Sequence, residues 1–116
     1  MNWNKLTTAA QLHEIAETSK STPVLIFKHS TRCPISSMAR HRLESDWSFE
    51  DEQVKPYFLD LIRYRELSSQ VAEDFDVYHE SPQVLLIKDG ECTYENSHLD
   101  ITVAEIGEQL NGQVTR

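Results

Sequence analysis

Cysteine is scarce in this chain. Cys33 and Cys92 are the only two, and they lie far apart in sequence. Two such thiols do not make the disulfide framework of a small secreted domain. They do not make a zinc site by themselves, since neither has a second C-x-x-C or H-x-x-x-H partner. Glycine and proline are also few, three and four in 116 residues, so loops should be short. Internal repeats and low-complexity tracts are missing. No apolar run approaches the roughly 18 residues of a membrane span. The opening "MNWNKLTTAAQLHEIAETSK" carries no apolar stretch of the kind found in secretory leaders, so a cytoplasmic location is the default expectation. Positive charge is in deficit, 11 Lys and Arg against 19 Asp and Glu, a net charge of -8. That balance argues against nucleic acid and anionic membrane as partners, because both need a basic face.

What is present suits one globular domain over residues 1–116. The chain is long enough to bury a core without covalent staples. Thr8 and Gln11 have capping-box spacing, and Leu12, Ile15 and Ala16 follow at helical intervals, predicting a helix over 9–19. "VLIF" (24–27) reads as a strand buried on both faces. Pro34 suits the first turn of a helix, where its missing N–H costs nothing. Ile35, Met38, Ala39 and Leu43 then mark an apolar stripe to about residue 45. "VKPYFLDLI" (54–62) predicts the next strand, and Leu67, Val71 and Phe75 a helix over 65–75. "SPQVLLIKDGECTYEN" predicts two strands around an Asp89-Gly90 turn. Thr102 and Glu105 repeat the capping pattern before a last helix with Ile106 and Leu110. The alternation implies right-handed crossovers. The expected fold is α/β: a mixed four-stranded sheet with helices on both faces.

The chemistry concentrates in "HSTRCPISSMA" (29–39). Cys33 stands at the predicted strand-to-helix junction. Unpaired N–H groups and the partial positive charge of a helix N-terminus favour a thiolate there. Arg32 adds a cation, His29 could add another, and the Ser36 hydroxyl, one turn on, could donate to the sulfur. Ser36 cannot close a disulfide. The polar flanks of Cys33 argue against a merely buried thiol. Cys33 and Arg40 stand one residue too far apart for a cysteine-phosphatase loop, and "PISSMA" has no glycine to cradle a phosphate.

Pro82, in "HESPQV", precedes a strand. In a fold of this topology its loop falls beside the helix that Cys33 opens. Local sequence alone favours a trans bond at an edge strand. Motif and topology together favour cis, which would offer the Ser81 backbone to an extended substrate segment. With Asp89-Gly90 as a two-residue turn, Lys88 opposes Glu91 and Ile87 opposes Cys92. Extended without interruption, this register sets Ser97 against Pro82. His98 is then either a rim residue of the site or an exposed loop histidine. Cys92 lies about five residues from that end, roughly 17 Å at strand rise. A disulfide needs Cα atoms within about 7 Å, so Cys92 should not resolve Cys33. His13 and His41 receive no role, and Trp3 and Trp47 are read as packing residues.

"TRCPISSMA", "HESPQVLLIKDG" and "NSH" together resemble the monothiol bacilliredoxins, a branch of the thioredoxin superfamily. The resemblance spans the chain from about Trp3 to the last helix. It implies a thioredoxin-like fold lacking the first strand. It also implies removal of bacillithiol from protein mixed disulfides, with Cys33 as attacking thiol and Pro82 as cis-proline. On this reading Thr31, Arg32, Pro34 and Ser36 support the thiolate, and Ser81, Pro82 and His98 bind substrate or small thiol. No metal and no tightly bound cofactor are expected. Bacillithiol, or another low-molecular-weight thiol, is the cosubstrate, S-thiolated cytosolic proteins are the partners, and a monomer suffices. Two other readings use the same cysteine: a non-catalytic redox-sensing or adaptor module, and a glutaredoxin-like iron–sulfur carrier.

Overall fold

Residues 24–29 are all buried, and the sheet is organised around them. In the computed structural model, which describes residues 1–111, they form β2 (Val24–His29) at the centre of a five-stranded sheet. The other strands are β1 (Asn4–Lys5), β3 (Lys55–Asp60), β4 (Gln83–Lys88) and β5 (Glu91–Ser97), in the spatial order β1-β3-β2-β4-β5. β1 and β2 run parallel to β3, β4 runs antiparallel to β2, and β5 antiparallel to β4. The helices are α1 (Ala10–Thr18), α2 (Pro34–Asp46), α3 (Arg65–Asp74) and α4 (Val103–Leu110), with a 3-10 turn at His98–Asp100. The α/β class and alternation match the sequence reading. The fifth strand, β1, is additional. Leu6 N–H extends its pairing to Phe58 C=O at 2.9 Å. Two polar residues are too few to show a strand period, so this edge was invisible in the sequence.

Successive β2 side chains point to opposite faces. Val24 and Ile26 join Leu12 and Ile15 of α1 and Leu67 and Val71 of α3. Leu25 and Phe27 join Ala39 and Leu43 of α2 and Val103 and Ile106 of α4. α2 buries Ser36, Ala39 and Leu43, while Ile35 and Met38 are exposed. The apolar stripe read from the sequence is therefore rotated, because its first inward position is a serine.

The Asp89-Gly90 turn is as expected, with positive φ at both residues (52° and 79°). Its N–H groups are held by Ser19, Asp89 to the carbonyl at 2.9 Å and Gly90 to Oγ at 2.8 Å. Lys88 faces Glu91 and Ile87 faces Cys92. The register then shifts: Leu86 pairs with Tyr94, and Ser97 pairs with Gln83 rather than Pro82. A bulge at Thr93 accounts for the extra residue.

Candidate functional site

Cys33 is the N-cap of α2. Its backbone is extended (φ -114°, ψ 116°), and Pro34 takes the first helical position. This is the local structure that a residue before proline, at a helix start, prefers. The thiol is half-buried. A tight turn brings the chain from β2 to this point. Cys33 N–H donates to Ser30 C=O at 3.2 Å, and Ser37 N–H donates to Cys33 C=O at 3.1 Å. Thr31 and Arg32 are exposed on this turn.

Ser36 is fully buried and does not present its hydroxyl as the sequence reading supposed. Ser36 Oγ accepts from Ser30 N–H at 2.9 Å and lies 2.7 Å from His29 Nδ1. The hydroxyl is committed to these two groups rather than to sulfur. His29 sits under α2 against Phe27 and Phe58, with ring centroids 5.8 and 5.3 Å away. Burial, and then Arg40, hold its imidazole below the ordinary histidine range, while Asp60, Ser36 and Glu44 pull the other way. Arg40 stacks over Phe58 at 4.7 Å and donates to Glu44 at 3.0 Å. Trp3 donates to the same carboxylate at 2.8 Å, so this packing residue also carries a polar anchor. Burial raises Glu44, but these two hydrogen bonds, with the charges of Arg40 and the N-terminus, together outweigh it and leave the carboxyl below its usual value.

The second wall of the site comes from β4. Lys28 pairs with Gln83 across the β2–β4 ladder, so Pro82 follows level with His29, at the end of the sheet from which the Cys33 turn departs. The Ser81–Pro82 bond is cis. His98 N–H donates to Pro82 C=O at 3.0 Å. The bulge brings His98 level with Pro82, one residue from the unbulged register. The His98 side chain is exposed and reaches Glu80, Nε2 to Oε1 3.6 Å. The turn His98–Asp100 packs against α2, and Arg42 donates to Leu99 C=O at 3.0 Å. The Cys33 turn, Pro82 and the His98 turn thus share one end of the sheet. Ile35, Met38, Leu99 and Tyr78, four of the exposed large apolar residues, lie on the elements that flank it.

Cys92 is at the other end. It pairs with Ile87 beside the hairpin turn. Its thiol donates to Tyr94 C=O at 3.3 Å, and burial pushes it up to about 11. The sequence reading missed Lys28 and His79. Lys28 is buried in β2, and its Nζ lies 3.2 Å from His79 Nδ1, with Ser68 Oγ 3.4 Å from the same nitrogen. A lysine directly after "VLIF" was the available signal, since a charge at that strand position has to find a partner.

Comparison with known proteins agrees with this geometry. The family model for monothiol bacilliredoxin BrxC matches residues 4–106. The chain belongs to the monothiol bacilliredoxin family. Among solved structures, one described as a candidate oxidoreductase with a thioredoxin fold is 31% identical, with 92% of this chain and 91% of that one covered and a TM-score of 0.77. A thioredoxin from Malassezia sympodialis is 18% identical over 96% of this chain and 90% of that one, TM-score 0.71. One from Fasciola hepatica is also 18% identical, over 96% and 99%, TM-score 0.69. The last two speak for the fold alone. The bacilliredoxin therefore has a thioredoxin fold, and family and fold point to thiol oxidoreductase chemistry. Among the described residues, no helix is long and apolar enough to cross a membrane.

Proposed function

We propose that this bacilliredoxin removes bacillithiol from protein mixed disulfides by a monothiol route in the cytoplasm. The observation that carries the reading is the setting of Cys33, an N-cap thiol with a serine hydroxyl one turn on and the other thiol at the far end of the sheet. The Cys33 thiolate attacks the bacillithiol sulfur of the modified protein. The old S–S bond breaks, the protein sulfur leaves as thiolate and takes a proton from solvent, and Cys33 holds bacillithiol as a new disulfide. A second low-molecular-weight thiolate then attacks that bacillithiol sulfur. It releases Cys33 and forms a small-molecule disulfide. No electrons are lost or gained overall; the oxidised bond moves from protein to small thiol. Orientation of three sulfurs in line is the main demand of such exchange. The Ser81–Pro82 loop and the His98 turn are the groups that would supply it. Exposed Ile35, Met38 and Leu99 suit a protein-sized substrate.

The test is mass spectrometry of a bacillithiol-modified protein incubated with this chain and free bacillithiol. The modification should disappear catalytically, and Cys33→Ser should abolish turnover. A fully active Cys33→Ser variant would sink the proposal. A chain modified once without cycling would favour a sensing module. Parallel reactions with glutathione and coenzyme A disulfides identify the thiol accepted.

A further inference from the structure

The Ser30–Cys33 turn spans the end of β2 and the start of α2, and a single hydroxyl ties the two ends together. Ser36 Oγ takes Ser30 N–H at 2.9 Å and meets His29 Nδ1 at 2.7 Å. Ser36 is fully buried and His29 is 3% exposed. A hydroxyl has one hydrogen. With Oγ accepting from Ser30, that hydrogen goes to Nδ1 when the imidazole is neutral and carries its own proton on Nε2. The charged groups that act on the ring are Arg40 and Glu44 of α2 and Asp60 of β3. Burial and Arg40 disfavour the imidazolium, so the neutral form is the one this pocket holds.

We infer that His29 and Ser36 are a positioning pair for Cys33: the neutral imidazole fixes the Ser36 hydroxyl, and the hydroxyl fixes the turn that carries the sulfur. Serine at 36 is then not the residue of a lost dithiol. The turn needs an oxygen there. Alanine would leave Ser30 N–H and His29 Nδ1 buried without partners. A thiol is a weak donor and a weak acceptor and would serve both groups poorly. The inference rests on Cys33 as the reacting sulfur, but not on which small thiol it accepts.

The exchange rate of Cys33 is best read with an aromatic disulfide such as dithionitrobenzoate, which any competent thiol attacks. Loss of the pair's effect and loss of bacillithiol turnover are then separate results. Ser36→Ala and His29→Leu should each slow exchange by about tenfold or more. The double variant should be no slower than the slower single, because the two residues act as one unit. His29→Asn, whose Oδ1 can accept the same hydrogen, should recover most of the rate. Unchanged rates in folded variants, or losses that multiply in the double variant, overturn the inference. NMR of the ring nitrogens in the unaltered protein does not depend on variant folding. It should find His29 Nδ1 unprotonated at neutral pH, and a protonated Nδ1 overturns the pair.

Discussion

Lys28 Nζ lies 3.2 Å from His79 Nδ1, a buried ammonium beneath an exposed imidazole, and none of the ion pairs among the described residues includes this lysine. An ammonium can only donate, so Nδ1 accepts and His79 is neutral. Burial lowers Lys28 from 10.5 to about 8. The native protein therefore gives up this proton before the unfolded chain does. Below about 8 the full cost of burying the charge is present. Between about 8 and 10.5 the unfolded chain binds more protons, so stability from this group rises with pH. The shift corresponds to about 3 kcal/mol. Lys28→Met should raise stability near neutral pH by a sizeable part of that. The gain should shrink toward strongly alkaline pH, as followed by urea unfolding. A gain independent of pH would mean that the charge is not what costs stability.

Cys92 should be a bystander. Its thiol is pushed up to about 11, so alkylation at mildly alkaline pH should mark Cys33 first and reach Cys92 quickly only after denaturation. Peptide mapping reads this directly. Cys92→Ser should leave turnover within about twofold, since the thiol is roughly 17 Å from the Pro82 end of the strand.

Gly90 is held at φ +79°, and a Cβ there would meet nothing within 4 Å. Gly90→Ala is thus a test of backbone strain alone. It should cost about 1–2 kcal/mol, visible as a drop of several degrees in Tm. Exchange at Cys33 should be unaffected, because the turn is at the opposite end of the sheet.

The apolar rim can be separated from the chemistry. Met38 is 54% exposed and Leu99 52%. Met38→Glu or Leu99→Glu should lower kcat/KM for a modified protein severalfold while leaving exchange with a small disulfide unchanged. Equal losses on both substrates would place the effect on Cys33 instead of on docking.

The parts of this molecule that were legible in the sequence are those with local causes. Pro34 announced a helix start, so Cys33 was recognised as its cap. Asp89-Gly90 announced its turn through the positive φ it requires. The parts that were hidden have partners distant in sequence. The apolar run "VLIF" marks the strand only over 24–27. The strand runs on to His29 because Lys28 meets His79 and His29 meets Ser36. The sequence offers Ser36 as a hydroxyl that could donate to the sulfur; only the fold reveals it as an inward residue with two other partners. Capping boxes were half legible. Thr102 Oγ1 accepts from Glu105 N–H at 3.2 Å, but the Glu105 carboxylate takes the Tyr94 hydroxyl at 2.9 Å.

The bulge at Thr93 has a consequence for the layers on either side. Cys92 and Tyr94 are two residues apart, and in a regular strand they would share a face. Here Cys92 packs with the α1–α3 layer and Tyr94 with the α2–α4 layer. One extra residue reverses the phase of β5 halfway along, so a single edge strand seals one core first and the other afterwards. The same half-period offset delivers the His98 N–H to the Pro82 carbonyl. Deleting Thr93 would straighten the strand yet leave every later partner in place, whereas pairing Thr93 itself with Leu86 would act as a frameshift in space. That slip would turn Tyr94 to the face of Cys92, invert every later side chain of the strand, and carry His98 past its proline, although no residue of the site itself had changed.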